Sequence, residues 1–213
     1  MNADAAPRTR GAILHAARSY DGLIWLFTLG REHAFRKRIL RLAHLEPGEV
    51  VLDVGCGTGS LALEAKRQVG AGGLVYGIDA SPEMITRASK KARKGGLDIE
   101  FALAPAQALP FPDGRFDIVL ITLMLHHLPR SSRDECAREV KRVLKPGSRV
   151  LVVDFGGPAR ESHGPIKHFH RHGYVRVGDL IALLNDAGLD VRESGSLDFR
   201  NLQFVRACAP AAT

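Results

Sequence analysis

No apolar run in this 213-residue chain is long enough to cross a bilayer; the longest, Leu23–Phe27, is interrupted on both sides by polar residues. The segment before it holds Arg18 and Asp21 and has no small-residue cleavage pattern, which argues against a secretory leader. Cysteine is scarce: Cys56, Cys136 and Cys208 are scattered and lack metal-ligand spacing. A disulfide scaffold is therefore not expected, and a reducing cytoplasm is the natural setting. Aromatic residues make up only 6% of the chain, and none interleaves with the basic clusters Arg36–Arg38, Lys90–Lys94 and Lys141–Arg142. The net charge of +7 is thus read as solvated helix faces rather than as a stacking platform for nucleic acid. There is no internal repeat and no low-complexity linker, so the expectation is a single domain over 1–213.

What the chain does have is concentrated in Val50–Ser60, V-V-L-D-V-G-C-G-T-G-S. A short β-branched run predicts a buried parallel strand. Gly55, Cys56, Gly57, Thr58 and Gly59 form a turn, and Ser60 opens a run of helix formers. Strand, glycine turn and helix in that order place exposed backbone at the carboxyl end of a strand. A second apolar run, Leu74–Ile78, ends in Asp79, about 20 residues after the turn, where a carboxylate can accept both hydroxyls of a ribose. A nucleoside-bearing ligand is implied. The third glycine comes one residue early for the dinucleotide pattern, and Asp53 beside the turn would repel a pyrophosphate while suiting an ammonium and a sulfonium.

The stretch V-L-D-V-G-C-G-T-G-S resembles motif I of the class I S-adenosylmethionine (SAM) dependent methyltransferases, and G-I-D-A-S-P-E-M-I, Gly77 to Ile85, resembles the next motif of that family. The group most similar in outline is that of the ubiquinone and menaquinone C-methylases. The resemblance implies SAM as cofactor, with Asp53, Gly55, Cys56, Gly57, Gly59, Asp79, Ala80, Met84, Ala106 and Thr122 around it. Ser19-Tyr20-Asp21 resembles a Tyr-Asp pair of the family's N-terminal helices, which adds Tyr20 to the cofactor set. One departure stands out. The segment Ala102–Phe111 matches a family stretch whose aspartate accepts from the adenine amino group, and here Pro105 occupies that position. Proline has neither acceptor side chain nor amide donor, a loss of about 1 kcal/mol.

The rest reads as an alternating α/β array. After a loose tail (1–10), residues 11–45 form a helical cap in which Phe35, Ile39 and Leu42 share a face opposite Arg36, Lys37 and Arg41. Strands are expected at Val50–Val54, Leu74–Asp79, Ile99–Leu103, Phe116–Thr122, Arg149–Asp154, Asp190–Ser196 and Gln203–Ala207, with helices at Ser131–Leu144 and Val177–Ala187. The fold class is α/β: a doubly wound, Rossmann-like sheet of seven strands over 46–213, mostly parallel, with the last strand antiparallel as the resemblance implies.

Methyl transfer needs alignment, exclusion of water and sometimes a proton acceptor. Groups for this must lie beyond the strand ends: His126 and His127 after the fourth strand, Asp154 at the end of the fifth. A structural role competes for the histidines. The following loop holds His163, His168, His170 and His172, and its H-F-H-R-H alternation puts three imidazoles on one side of an extended segment. A metal could use that spacing, but with no nearby cysteine and few acids no metal site is expected, and His168 and His170 are taken as candidates facing an acceptor. The expected activity is SAM-dependent methylation of a small molecule bound between the N-terminal helices and this loop. An RNA or protein methyltransferase and a non-catalytic SAM-binding module are the alternatives; the chain lacks an added recognition domain and an N-P-P-Y acceptor motif.

Overall fold

The computed structural model describes Gly22, Ile24, Leu26, residues 28–157, 174–197, Phe199 and residues 201–212. Among these, the first complete helix is α1 (Glu32–Leu42). Then come β1 (Val50–Val54), α2 (Ser60–Val69), β2 (Leu74–Asp79), α3 (Pro82–Lys94), β3 (Glu100–Leu103) and β4 (Phe116–Thr122). A 3-10 turn at Leu125–His127 leads to α4 (Arg130–Val143), β5 (Leu144–Phe155), α5 (Val177–Asp186), β6 (Asp190–Ser196) and β7 (Leu202–Cys208). The loose tail and the first part of the expected cap lie outside the described residues, as does the histidine loop.

The strands form one sheet in the order β3-β2-β1-β4-β5-β7-β6. β1 to β5 run parallel, and β7 pairs antiparallel with both β5 and β6, as the resemblance implies. The order reverses at β1, so the crevice between the loops after β1 and β4 is the place where such a sheet opens to a ligand.

Each face is sealed by its own apolar layer. Ile39 and Leu40 of α1 and Leu61, Ala62, Ala65 and Val69 of α2 cover Val51, Ile118, Leu120 and Val153. On the opposite face, Cys136, Val140 and Val143 of α4 and Leu180 and Leu184 of α5 cover Leu52, Val119 and Val152. The central strands are apolar on both sides, which is why their sequences read as runs rather than as alternation. Local signals set several ends. Ser81 caps α3 with its hydroxyl accepting from the Met84 amide at 3.4 Å, Pro82 opens the first turn, and Lys91, Arg93 and Lys94 close the last.

Most element ends fall within a residue of the sequence expectation, and the larger difference is at the junction of α4 and β5. α4 ends at Val143, because Leu144 is already extended (ψ 136°) and pairs with Phe116. β5 therefore starts at Leu144 rather than Arg149, and its pairing jumps to Arg149 opposite Ile118. Lys145–Ser148 bulge out between those pairs, which is where a proline can sit in a strand. Lys145 Nζ bonds Asp117 Oδ1 at 2.7 Å, and Asp117 Oδ2 accepts the Val50 amide at 2.9 Å. The bulge is thus tied across β4 to the start of β1.

Candidate cofactor and active site

The glycine turn after β1 is braced from within. The amides of Gly55 and Cys56 both donate to the Ile78 carbonyl at 2.9 Å, and the Gly59 amide donates to the Cys56 carbonyl at 2.9 Å. The Gly57 amide donates to Asp79 Oδ2 at 2.9 Å. Four of the turn's five amides are therefore spent on the protein and do not form a phosphate cradle. Gly59 has φ +76°, and a Cβ there would lie 2.8 Å from Ala88 Cβ and 2.9 Å from Phe101. Glycine is required for that close approach of α2 to α3. Lys91 Nζ, from α3, reaches Thr58 Oγ1 and Ser60 Oγ at 2.8 Å each and holds the far side of the turn.

Two carboxylates flank the turn, Asp53 from β1 and Asp79 from β2. Asp79 is engaged on both oxygens, with Oδ1 accepting from the Ser81 amide at 2.8 Å. Burial raises its pKa, and the amides of Ser81, Gly57 and Ala80 oppose that rise. Each oxygen keeps a further lone pair. Asp53 is 2% exposed, and its Oδ2 has no hydrogen-bond partner. Burial pushes its pKa up to about 7; the Arg36 guanidinium and the Ala62 amide pull it down, and the Asp79 charge adds to the rise.

Asp53, Gly55, Cys56, Thr58 and Ser60 share a narrow crevice of about 50 Å³ with Phe35, Arg36 and Ile39 of α1 and with Thr122 and Leu123 after β4. Thr122 Oγ1 is buried and unpartnered as well. Cys56 is 8% exposed, and burial beside two carboxylates holds its thiol well above its usual pKa, so it lines the crevice as a small apolar group. Ala80 is half-buried at the end of β2, and Met84 is buried at 2% exposure on the first turn of α3. Ala106 is buried beside Pro105, whose carbonyl accepts the Ala108 amide at 3.2 Å in a tight turn.

Arg36 is a correction to the sequence reading. It stands among the basic residues assigned to solvent, yet its side chain is only 14% exposed, pairs with Glu32 four residues back, and faces Asp53. Its spacing from the buried pair Ile39 and Leu40, three and four residues on, was the available signal.

On the β4 side, Asp154 and His126 form a buried pair, 0% and 1% exposed. His126 Nδ1 lies 2.6 Å from Asp154 Oδ1. Asp154 also accepts the amides of His126 (3.1 Å) and Phe155 (2.8 Å). Nδ1 is the ring nitrogen that faces the carboxylate, and Nε2 has no hydrogen-bond partner. The His127 ring lies against that of His126, with centroids 3.9 Å apart and planes tilted by 45°. The structure thus joins His126 to Asp154 and sets His127 against them. Tyr20, His168 and His170 lie outside the described residues, as do Trp25, Phe27, His163 and His172. Among the described residues no group of acidic, histidine and cysteine side chains is arranged to hold a metal.

The doubly wound sheet places this crevice at its topological switch point, and the similarities give the class. A methyltransferase-domain family model matches residues 51–147. The chain is 33% identical over 173 residues to a demethylmenaquinone methyltransferase of Lactobacillus johnsonii, covering 80% of this chain and 68% of that one. A SAM-dependent methyltransferase structure from Aquifex aeolicus superposes with a TM-score of 0.75 at 25% identity, over 92% of this chain and 99% of that one. The [4+2]-cyclase SpnF shares the fold (TM-score 0.71, 22% identity, 84% and 81% covered), so the fold by itself does not dictate methyl transfer. The chain belongs to the SAM-dependent methyltransferase family. It is an S-adenosylmethionine-dependent methyltransferase with a Rossmann-like core.

Proposed function

We propose that the chain methylates a small molecule, with the cofactor lying across the carboxyl ends of β1, β2 and β4. The observation that carries this reading is the asymmetric carboxylate pair around a turn whose amides are already used. The donors and acceptors fit S-adenosylmethionine. Asp79 accepts the ribose hydroxyls through its remaining lone pairs. Asp53 Oδ2, buried and unpartnered, accepts the methionyl ammonium, and Arg36 beside it faces the carboxylate. Gly55, Gly57 and Gly59 shape the turn beside the sugar and sulfur, Met84 and Ala80 flank the base, and the Ala106 amide meets the adenine ring. Thr122 Oγ1 closes the reacting end. Tyr20 would join from the N-terminal side.

When bound, SAM supplies a methyl group already activated by its sulfonium. This chain must align a nucleophile in line with the departing sulfur and exclude water. The acceptor atom forms the new bond to the methyl carbon, the carbon–sulfur bond breaks, and S-adenosylhomocysteine leaves as the acceptor loses its proton. We assign His126 and Asp154 to this side. Their burial favours positioning: Asp154 takes two bonds from His126, its amide and its ring, and so fixes the turn that follows β4 beside the crevice. The alternative role, with Nε2 as proton acceptor and His127, His168 or His170 assisting, predicts a different response. Asparagine at 126 can still donate to Asp154 but has no second nitrogen. His126→Asn retaining turnover within about threefold supports positioning; a fall of a hundredfold or more, of the size general-base loss brings, assigns a base.

The acceptor class to test first is a phenol or quinol, because the Lactobacillus relative is named for demethylmenaquinone. No helix among the described residues is long and apolar enough to cross a membrane, and three thiols without a disulfide suit a reducing cytoplasm. Mass spectrometry of the purified protein for bound SAM or S-adenosylhomocysteine, followed by a SAM-consumption screen over phenols, quinols and amines, tests the reading. Product from a phenol or quinol supports it. Tight SAM binding with no product from any acceptor would overturn the small-molecule assignment in favour of a binding module.

A further inference from the structure

The turn that follows β4 closes one side of the cofactor crevice, and its backbone is strained. Thr122 and Leu123 line the crevice, and Leu123 stands in the left-handed region at φ +54°. A residue with a branched side chain seldom adopts that region, and it persists only where surrounding contacts fix the backbone. Three such contacts come from the sheet and the glycine turn. The Leu123 amide donates to the Val153 carbonyl at 2.8 Å, and the His126 amide donates to Asp154 at 3.1 Å. The Met124 side chain lies against Gly55, where an added Cβ would collide with it. A fourth comes from α4. Arg133 Nε donates to the carbonyls of Leu125 and Leu128, at 2.9 Å each. Those carbonyls stand immediately before and after His126 and His127, so one guanidinium nitrogen grips the turn on both sides of the histidine pair.

The helix itself does not account for an arginine at this place. Arg130 and Arg133 both stand at the start of α4, whose first turn holds no acid. Exposed amides and the helix dipole disfavour cations there. Burial pushes the Arg133 pKa down; the charges of Asp154 and Asp179 oppose that fall, and Arg130 adds to it. Two carbonyls and the field of Asp154 thus hold the guanidinium where its own helix is unfavourable. We propose that Arg133 is a positioning residue for methyl transfer, a role that rests on placing His126 and Asp154 at the reacting side. It seats the turn from Thr122 to Leu128, so that His126 meets Asp154 and Thr122 stays at the crevice. It acts through the turn's carbonyls rather than on the reacting atoms.

Three variants of the full chain test it. Arg133→Met keeps the apolar stem and removes the donor, Arg133→Lys keeps a charge and a donor, and Arg130→Ala removes the exposed arginine at the same helix start. The first measurement needs no acceptor. With S-adenosylhomocysteine bound, and below the melting temperature of every variant, it follows the NMR resonance of the proton between His126 Nδ1 and Asp154 Oδ1 and the hydrogen exchange of the Leu123 and His126 amides. Arg133→Met should shift the resonance and speed exchange about tenfold, as expected for local loosening, with S-adenosylhomocysteine affinity unchanged. Arg133→Lys should restore part of both, and Arg130→Ala should alter neither. If Arg133→Met fails to fold, Arg133→Lys is read against the parent in the same way. The second measurement is turnover: kcat should fall about tenfold in Arg133→Met, as for a misplaced reacting group, while KM for SAM holds. An unchanged resonance and unchanged exchange would overturn the proposal with no acceptor in hand. Full kcat in a variant whose turn has loosened would overturn it too, as would equal losses in Arg133→Met and Arg130→Ala. No product from the unaltered protein would instead count against the small-molecule reading, and the resonance and exchange would still decide the clamp.

Discussion

The ends of β1 and β2 both present an aspartate to the same turn, yet the two are built oppositely. Asp79 is satisfied: its oxygens accept the amides of Gly57 and Ser81, so it braces the turn and caps the entry to α3 whether or not a ligand is present. Asp53 is deeper, has an unpartnered oxygen, and is pushed up to a pKa of about 7. One acid is a structural strut with lone pairs to spare; the other is a buried carboxyl beside Arg36 that keeps one oxygen open to a donor. A cofactor carrying both a polyhydroxyl sugar and an ammonium matches that division.

Removing the strut should have the largest effect. Asp79→Ala loses two buried amide partners together with the ribose acceptor. SAM affinity should fall by about 2 kcal/mol or more, roughly thirtyfold, and the unfolding midpoint should drop as well. Calorimetry and thermal melts check both. If affinity falls while the melting temperature holds, Asp79 contributes to the ligand alone and the contrast with Asp53 collapses.

Neutralising Asp53 should separate stability from binding. Its pKa in the folded state lies above that of the unfolded chain, so the folded protein holds the proton more tightly. Stability is therefore greatest while the group is protonated and declines as pH rises from about 4 to about 7, with an upper bound on the order of 4 kcal/mol. Asp53→Asn should accordingly match the parent in thermal stability near pH 4 and exceed it at pH 8, yet bind SAM about tenfold more weakly there. In the parent, SAM affinity should rise between pH 5 and 8, with proton release on binding near pH 6.5. Titrations in two buffers of different ionisation enthalpy measure that release. A pH-independent affinity would mean that Asp53 is already charged, and that Arg36 outweighs burial.

The smallest effect is expected from a third carboxylate. Pro105→Asp puts an acceptor in the loop after β3, where Ala104 and Ala106 are buried and the turn to Ala108 is intact. A gain of about 1 kcal/mol in SAM affinity, near fivefold, is expected if the loop tolerates the exchange. Weaker binding would show that the turn depends on proline at this place.

The legible part of the site is the part written in consecutive residues. Asp53, the turn and Asp79 span 27 positions, and each signals itself by local chemistry: a carboxylate closing an apolar strand, glycines where a Cβ would collide, a capped helix start. The bond from Gly57 to Asp79 follows almost from the register of β1 on β2. Arg36 was not legible in the same way. A basic residue among Arg36, Lys37 and Arg38 reads as solvated, and only the packing of Ile39 and Leu40 against the sheet turns it toward Asp53. The extra length of β5 was hidden because Lys145-Pro146-Gly147 reads as a stop, while pairing with Phe116 keeps Leu144 in the strand.

By itself the sequence determined the alternating α/β array, the glycine turn and the two acids beside it. These depend on hydrophobic period, steric freedom and spacing along the chain, all of which are local properties. Tertiary structure alone decided which acid would be satisfied, that Arg36 would face inward, and that His126 would meet Asp154 across 28 positions. Those outcomes rest on burial and on which partners come within reach. Both are set by what the rest of the chain places nearby.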